Sequence, residues 1–336
     1  MQVIKELNDE VLNVLKNEIE NNKLVIFPTE TVYGIGANAL SKEAVEQIFK
    51  VKERARNNPL IVHLKNKEEI NKYAVIENEI EQRLIDSFMP GPFTLILKKK
   101  DVIPNCVTAN LDTVGIRIPI NKIANKFLEC VNLPIAAPSA NISSRPSGTK
   151  VSDIKDEFDN SVNFIIDGGE SKIGLESTVV KVINNIPTIL RPGFITKEDI
   201  ETVIGECLVS ENVLKQISDM SKAESPGMLY KHYAPKTKCL LVYSSNLSTL
   251  KDIVKNNLND KTIILGSSKL NDIPCYKFIN YGDTLENISH NIFSLLRKCD
   301  LYDANLIIIE GVEKAGLGLA IMNRLIRTAN FNYIEK

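Results

Sequence analysis

Leu24-Val25-Ile26-Phe27-Pro28-Thr29-Glu30-Thr31-Val32-Tyr33-Gly34-Ile35-Gly36 decides how the first half of this 336-residue chain folds. Leu24 to Phe27 is a short apolar run ended by Pro28, the pattern of a buried strand. Gly34-Ile35-Gly36-Ala37-Asn38-Ala39 then has the outline of a dinucleotide fingerprint. Two features argue against that reading. A Pro-Thr-Glu-Thr turn separates the strand from the glycines, and the next helical stretch leads to cations rather than to a ribose-binding acid. A loop whose Thr29 and Thr31 hydroxyls face a pocket fits better.

On either side of this stretch, Val11, Leu12, Leu15 and Ile19 recur at helical spacing, as do Val45, Ile48 and Phe49 within Ala44 to Lys52. Strands are expected at Leu60 to Leu64, Phe93 to Leu97, Val114 to Ile118, Phe164 to Ile166 and Thr178 to Ile183. Helices and strands mix without a regular βαβ rhythm, which predicts an α/β fold built on one large mixed sheet through about residue 205. After Lys238 the rhythm changes. Cys239 to Tyr243, Thr262 to Leu265, Tyr276 to Ile279 and Leu306 to Glu310 read as strands. Amphipathic helices at Leu247 to Leu258 and Leu285 to Leu301 separate them, so a smaller Rossmann-like parallel sheet is expected. The division is a catalytic domain over 1–207, a connecting segment over 208–237 and a second domain over 238–336. That segment carries Ser225-Pro226-Gly227-Met228-Leu229-Tyr230-Lys231-His232-Tyr233-Ala234-Pro235, too aromatic and basic for a flexible spacer.

With 41 basic and 42 acidic side chains the formal net charge is −1, which argues against a protein that coats nucleic acid. No apolar run reaches the roughly 20 residues that span a bilayer. The N-terminus lacks the pattern of a secretory signal, and a cytoplasmic protein is expected. Six dispersed cysteines without Cys-x-x-Cys, and only three histidines, offer neither a disulfide framework nor metal-ligand spacing. His290, between Ile288 and Ile292 on a helix, reads as structural.

Two stretches offer a triphosphate fixed charge and neutral donors: Lys52-Glu53-Arg54 before Asn58-Pro59, and Ser139-Ala140-Asn141 in a hydroxyl-rich loop. A cation at the end of a helix is also favoured by the macrodipole, which accounts for Lys52 alone. It does not account for Arg54, Arg56 and Asn58 crowding the turn before a strand that bears His63. Arg117 lies inside the apolar run Val114-Gly115-Ile116-Arg117-Ile118-Pro119. It must be paired in the fold or meet an anionic ligand. Gly174-Leu175-Glu176-Ser177-Thr178 and Leu190-Arg191-Pro192-Gly193 add hydroxyls and an arginine near strand ends. Gly316-Leu317-Gly318 before a helix at Ile321 to Thr328 could cradle phosphate or serve tight packing.

Taken in order, Pro-Thr-Glu-Thr-Val-Tyr-Gly, Lys-x-Arg with Asn-Pro-Leu, Pro-Gly-Pro-Phe-Thr-Leu and Val-Gly-Ile-Arg-Ile-Pro resemble the YrdC family of threonylcarbamoyl-AMP synthases in its two-domain form. Ala-Pro-Ser-Ala-Asn, Leu-Glu-Ser-Thr-Val, Leu-Arg-Pro-Gly and Ser-Pro-Gly-Met-x-Tyr-x-His-Tyr-Ala-Pro extend the resemblance over nearly the whole chain. It implies that L-threonine, bicarbonate or CO2, and ATP with Mg2+ yield threonylcarbamoyl-AMP and pyrophosphate, for tRNA threonylcarbamoyl-adenosine modification. It implies Thr31, His63, Arg117, the Ala137 backbone and Ser177 around threonine. It implies Lys52, Arg54, Asn58, Thr113, Ser139, Asn141, Ser147, Arg191 and Tyr230 around ATP, with Lys52 and Arg54 the candidates for catalytic charge. A TsaD-type transferase would take the product, and strong direct tRNA binding is not expected.

Glu53 and Ala55 stand where the family commonly has glycine and proline, Met89 where an aromatic is frequent, and Leu229 at a usually polar position. These departures touch loop stiffness more than ligand groups. The competing classes are a non-catalytic RNA-binding module and a carbamoyl-transfer domain of hydrogenase-maturation type. Near-neutral charge disfavours the first, and the absence of Cys-x-x-Cys the second.

Overall fold

Val25–Phe27 and Gly34–Asn38 form the two strands of an antiparallel hairpin, so the glycine-containing stretch builds a sheet instead of opening a helix. The second glycine is needed for close packing. A Cβ on Gly36 would come within 2.8 Å of both Phe27 and Ile135, tighter than carbon atoms tolerate. The computed structural model describes residues 1–215 and 233–336. Tyr230 and the Ser225 to His232 stretch therefore lie outside the described residues.

In chain order the first strands are β1 (Gln2–Ile4), β2 (Val25–Phe27), β3 (Gly34–Asn38), β4 (Ile61–His63), β5 (Ala74–Val75) and β6 (Phe93–Lys99). They continue with β7 (Thr113–Arg117), β8 (Ile135–Ala136), β9 (Phe164–Ile166), β10 (Thr178–Ile183), β11 (Ile186–Arg191) and β12 (Leu208–Val209). All twelve join one mixed sheet in the order β1-β9-β2-β3-β8-β4-β7-β6-β10-β11-β12, with β5 on β6. The large mixed sheet expected from the sequence is present. Its shortest strands, β5, β8 and β12, are two residues each and carry no period of their own.

The register of this sheet positions the site. β4 and β7 run parallel with His63 opposite Arg117, so two chemically loaded residues 54 positions apart finish side by side. β8 runs antiparallel to both β3 and β4 and releases the chain at Ala137 beside them. The helix Lys42–Val51 is started by the Ser41 side chain accepting the Ala44 N–H. It buries Ala44, Val45, Ile48 and Phe49 and ends at Lys52.

The second sheet comprises β13 (Cys239–Tyr243), β14 (Thr262–Gly266), β15 (Lys277–Asn280), β16 (Leu306–Glu310) and β17 (Tyr333–Glu335), all parallel, in the order β15-β14-β16-β13-β17. β17 adds a fifth strand to the four legible in the sequence. The helix Leu247–Asn256 packs on one face, against Leu240, Val242, Ile264 and Ile308. The helices Leu285–Cys299 and Leu317–Thr328 pack on the other, against Leu241, Ile263, Leu265, Ile307 and Ile309.

The last of these helices is buried on its polar side too, because that side meets the first sheet's domain: Asn323, Arg324, Arg327 and Thr328 are all buried. Gly318 resolves in favour of tight packing, since a Cβ there would sit 2.0 Å from the Glu313 carbonyl oxygen. His290 also has a structural place, its Nδ1 3.1 Å from the Lys172 carbonyl of the first domain.

Candidate active site

Lys52 and the Ser139–Asn141 loop, 87 residues apart at their first contact, are joined directly. The Lys52 side chain is buried, and its ammonium donates to the Ser139 carbonyl at 2.5 Å and to the Asn141 carbonyl. Helix-end electrostatics would leave such a lysine in solvent. This one instead crosses to a second segment and shapes it. Asn141 completes the shape, accepting from the Ser139 hydroxyl at 2.6 Å and donating to the Arg145 carbonyl at 3.0 Å. A bridge between Gly34 and Ser139 fastens the loop to β3.

These segments form one wall of a cleft with about 740 Å³ of empty volume, its open mouth included. Thr29, His63, Arg117, Ala137 and Ser177 line one part of it. Arg117 and Glu30 are 4% and 5% exposed, and Nη2 of Arg117 meets Oε1 of Glu30 at 2.6 Å. Oε2 of Glu30 accepts the Ile120 N–H at 3.3 Å. The pair holds the guanidinium by one nitrogen, while Arg117 Nε is buried without a hydrogen-bond partner in the protein. The structural pairing that the sequence offered as one reading of this arginine is present, and one of its donors is left without a protein partner.

His63 repeats the pattern. It is 3% exposed and its Nδ1 has no partner. Burial, and then the neighbouring Arg117 charge, push its pKa from 6.5 down to about 3, so the imidazole is neutral around pH 7. Thr29 donates to the Val32 carbonyl at 2.6 Å and lies 2.8 Å from the Thr31 hydroxyl. Thr31 is buried behind Thr29 rather than lining the cleft. The Ala137 N–H is engaged by the Ile61 carbonyl at 2.9 Å, so its own carbonyl is the group it can offer.

Lys52, Arg54 and Arg191 line the same cleft. Arg54 donates to the carbonyls of Asn58 (3.3 Å) and Pro59 (2.9 Å). Arg191 donates through Nε and Nη2 to the Ser177 carbonyl at 3.1 and 3.0 Å, and through Nη2 to the Ser177 hydroxyl at 3.1 Å. Burial brings both guanidinium pKa values down to about 10 and drives Lys52 well below its ordinary value, with Arg54 adding to the effect. Lys52 and Arg191 are buried and Arg54 is half-buried, all three held mainly by neutral carbonyls, an arrangement in which an incoming anion would relieve the cost of burying them.

Not every residue implied by the family resemblance lines this cleft. Asn58 contributes a carbonyl to Arg54, and Ser147 sits behind the wall, donating to Glu176 at 2.6 Å. Thr113 opens β7, level with Pro59 by the parallel register of β4, and does not line the cleft.

Four residues the sequence reading passed over matter here. Glu30 orients Arg117. Glu176 lines the cleft between Ser147 and Arg324, its carboxyl pushed up by burial but held below its usual range by Arg324 and Arg191. Thr94 shares a 2.7 Å hydrogen bond with the Ser177 hydroxyl. Tyr233 closes the cleft, its ring stacked on Phe293 of the second domain at 5.0 Å. Glu30 and Glu176 stand inside hydroxyl-bearing motifs with no arginine near them in the sequence, so local sequence carries no signal for either pairing.

Two family models account for the chain. One described as telomere recombination matches residues 17–193, and the other, threonylcarbamoyl-AMP synthase, C-terminal domain, matches residues 195–330. A threonylcarbamoyl-AMP synthase of Pyrococcus abyssi is 39% identical over all of this chain and 98% of its own length. Its counterpart in Bacillus subtilis is 38% identical over 94% of this chain and 92% of its own. The crystal structure of P. abyssi Sua5 complexed with L-threonine superposes with a TM-score of 0.93, at 38% identity over the full length of both chains.

Proposed function

The chain belongs to the threonylcarbamoyl-AMP synthase family in its two-domain form, and from that premise we propose that the cleft joins carboxylated L-threonine to the α-phosphorus of ATP. The products are threonylcarbamoyl-AMP and pyrophosphate, and the reaction class is nucleotidyl transfer. The observation that carries this assignment is the pair of unpartnered buried atoms, Arg117 Nε and His63 Nδ1, set in one cleft with Lys52, Arg54 and Arg191. Arg117 and His63 suit a small zwitterion, and the three cations suit a polyanion.

In this reading Arg117 takes the threonine carboxylate. Neutral His63 and Ser177 meet its hydroxyl or amine. The free amine attacks CO2, a C–N bond forms as one C=O electron pair moves onto oxygen, and the amine proton passes to solvent water, leaving a carbamate. A carbamate oxygen is already anionic and needs no strong base. It attacks the α-phosphorus while the bond from that phosphorus to the bridging oxygen breaks, and pyrophosphate leaves with the electron pair. Lys52, Arg54 and Arg191 neutralise the triphosphate and the leaving charge, so catalysis is positioning plus electrostatics.

The cleft's residues do not suit a protein-held metal. The carboxylate that lines the cleft, Glu176, and Glu30 behind Arg117 are each engaged by an arginine, and among the described residues no three acidic, histidine or cysteine side chains cluster. Magnesium is accordingly assigned to the ATP phosphates as part of the substrate. A TsaD-type transferase is the proposed consumer of the product. A non-catalytic RNA-binding role fits less well, because these cations are buried in a cleft instead of spread over a surface. No helix among the described residues is long and apolar enough to cross a membrane.

The test is pyrophosphate release from ATP with threonine and bicarbonate omitted in turn. Release that requires both is the expected result. Release indifferent to threonine would sink the assignment, and preference for carbamoyl phosphate would point to carbamoyl transfer.

A further inference from the structure

A second crevice, with about 830 Å³ of empty volume, opens at the carboxyl ends of β13, β14 and β16 and shares no lining residue with the catalytic cleft. It sits at a reversal in the topology. β16 lies between β14 and β13 and feeds the helix Leu317–Thr328 on one face, whereas both neighbours feed elements packed on the other face. Open parallel sheets place small-molecule sites at such points, outside the strand ends.

Two buried polar groups in this crevice are short of partners. Ser267, the residue after β14, is 7% exposed, and its Oγ has no hydrogen-bond partner in the protein. Glu310, at the end of β16, is also 7% exposed, and its Oε2 accepts the Ser267 N–H at 2.6 Å. A carboxylate offers about four acceptor positions, and among the described residues no cation pairs with this one within ion-pair distance. The fold makes room for it: a Cβ on Gly266 would lie 2.9 Å from its Oε2. Tyr281 donates to the Glu310 carbonyl at 3.1 Å and fixes the strand end.

We propose that this crevice binds a neutral nucleoside, with its ribose diol on the Glu310 carboxylate and the Ser267 hydroxyl and its base against Leu247, Leu285 and Ile288. The ligand must bring donors, because a carboxylate only accepts. Those donors must be adjacent, because the Ser267 backbone and the Glu310 carboxylate are in direct contact. It must carry no phosphate, because Asp283, Glu310 and Glu313 face the crevice against Lys269. The leucine and isoleucine side chains supply an apolar wall for a flat ring.

The test is calorimetric titration of the full-length protein with adenosine. Saturating ATP fills the competing cleft beforehand, while Glu310→Gln and Ser267→Ala address the crevice. One site that survives saturating ATP is expected, with affinity falling about tenfold or more in each crevice variant. For 2′-deoxyadenosine a similar loss is expected, and pyrophosphate release by both crevice variants should stay at the unmodified rate. Ser267→Ala keeps the backbone bond to Glu310, so it tests the site even if Glu310→Gln disturbs folding. The proposal is overturned by an absence of adenosine binding at millimolar concentration, by binding abolished in saturating ATP, by equal affinity for the 2′-deoxy compound, or by indifference to Ser267→Ala.

Discussion

Arg324 of the second domain and Glu176 of the first form one buried ion pair, Nε to Oε2 at 3.0 Å, directly behind the catalytic cleft. The arginine is fully buried and also donates to the Pro192 carbonyl at 2.5 Å. Its guanidinium lies 5.9 Å from the Tyr233 ring. Glu176 in turn accepts from Ser147 and faces the ligand space. The second domain is therefore part of the cleft's supporting structure. Arg297 reinforces it, donating to Glu157 at 2.7 Å and to the Pro146 carbonyl at 2.5 Å.

Arg324→Ala should remove the counter-charge and strand Glu176. Breaking a buried pair from one side costs about 3–5 kcal/mol, so the urea midpoint should fall accordingly and the KM for ATP should rise. An unchanged midpoint and KM would reduce Arg324 to a space-filler.

Arg117 and Arg54 should separate by substrate. Losing a charge-assisted hydrogen bond is worth about 1.5–3 kcal/mol, or roughly 10- to 150-fold. Arg117→Ala should raise the KM for threonine by that factor, and Arg54→Ala the KM for ATP. Steady-state kinetics with each substrate varied is the measurement, and an exchange of the two effects would reverse the assignment of the cleft's ends.

His63 makes stability depend on acid. Its native pKa, about 3, lies below its ordinary 6.5, so between those values the unfolded chain binds the extra proton. Stability from this residue is thus fully present above pH 6.5 and is lost as pH falls toward 3. Between about pH 7.5 and pH 5 the parent should lose about 2 kcal/mol that His63→Asn does not. Parallel urea curves for the two proteins at those pH values would show no such group.

Gly36→Ala tests the reading of the glycine stretch. The added Cβ would press on Phe27 and Ile135 at 2.8 Å, and overpacking of this kind costs about 1–3 kcal/mol. A lowered melting temperature with the threonine and ATP KM values intact is expected. A selective rise in either KM would instead make Gly36 a ligand-contact position.

Much of this site was legible because its motifs are short and each lies next to a strand end. Lys52, Arg54, His63, Arg117, Ser139, Ser177 and Arg191 could all be placed near ligand chemistry from residue type and neighbours. Their partners could not. Glu30 reaches Arg117 across 87 positions and Glu176 reaches Arg324 across 148, and local periodicity carries no information at such range. β3 escaped recognition because two glycines in five residues weaken any strand pattern, and only the Phe27 and Ile135 side chains explain why they are there. Tyr233 was legible as part of a motif but not as a wall of the cleft, since its stacking on Phe293 depends on how the two domains meet.

The Lys52 clasp on Ser139 and Asn141 has a temporal consequence. During synthesis the chain emerges from its N-terminus, and Lys52 is available long before the carbonyls it must hold. Arg191 and Tyr233 arrive later still. A nascent chain lacking these segments has no enclosed nucleotide cleft, and the buried cations have no reason to leave water. Long-range closures of this kind are among the slower events in folding. The enclosed cleft is thus complete only once the chain has been made and assembled through Tyr233.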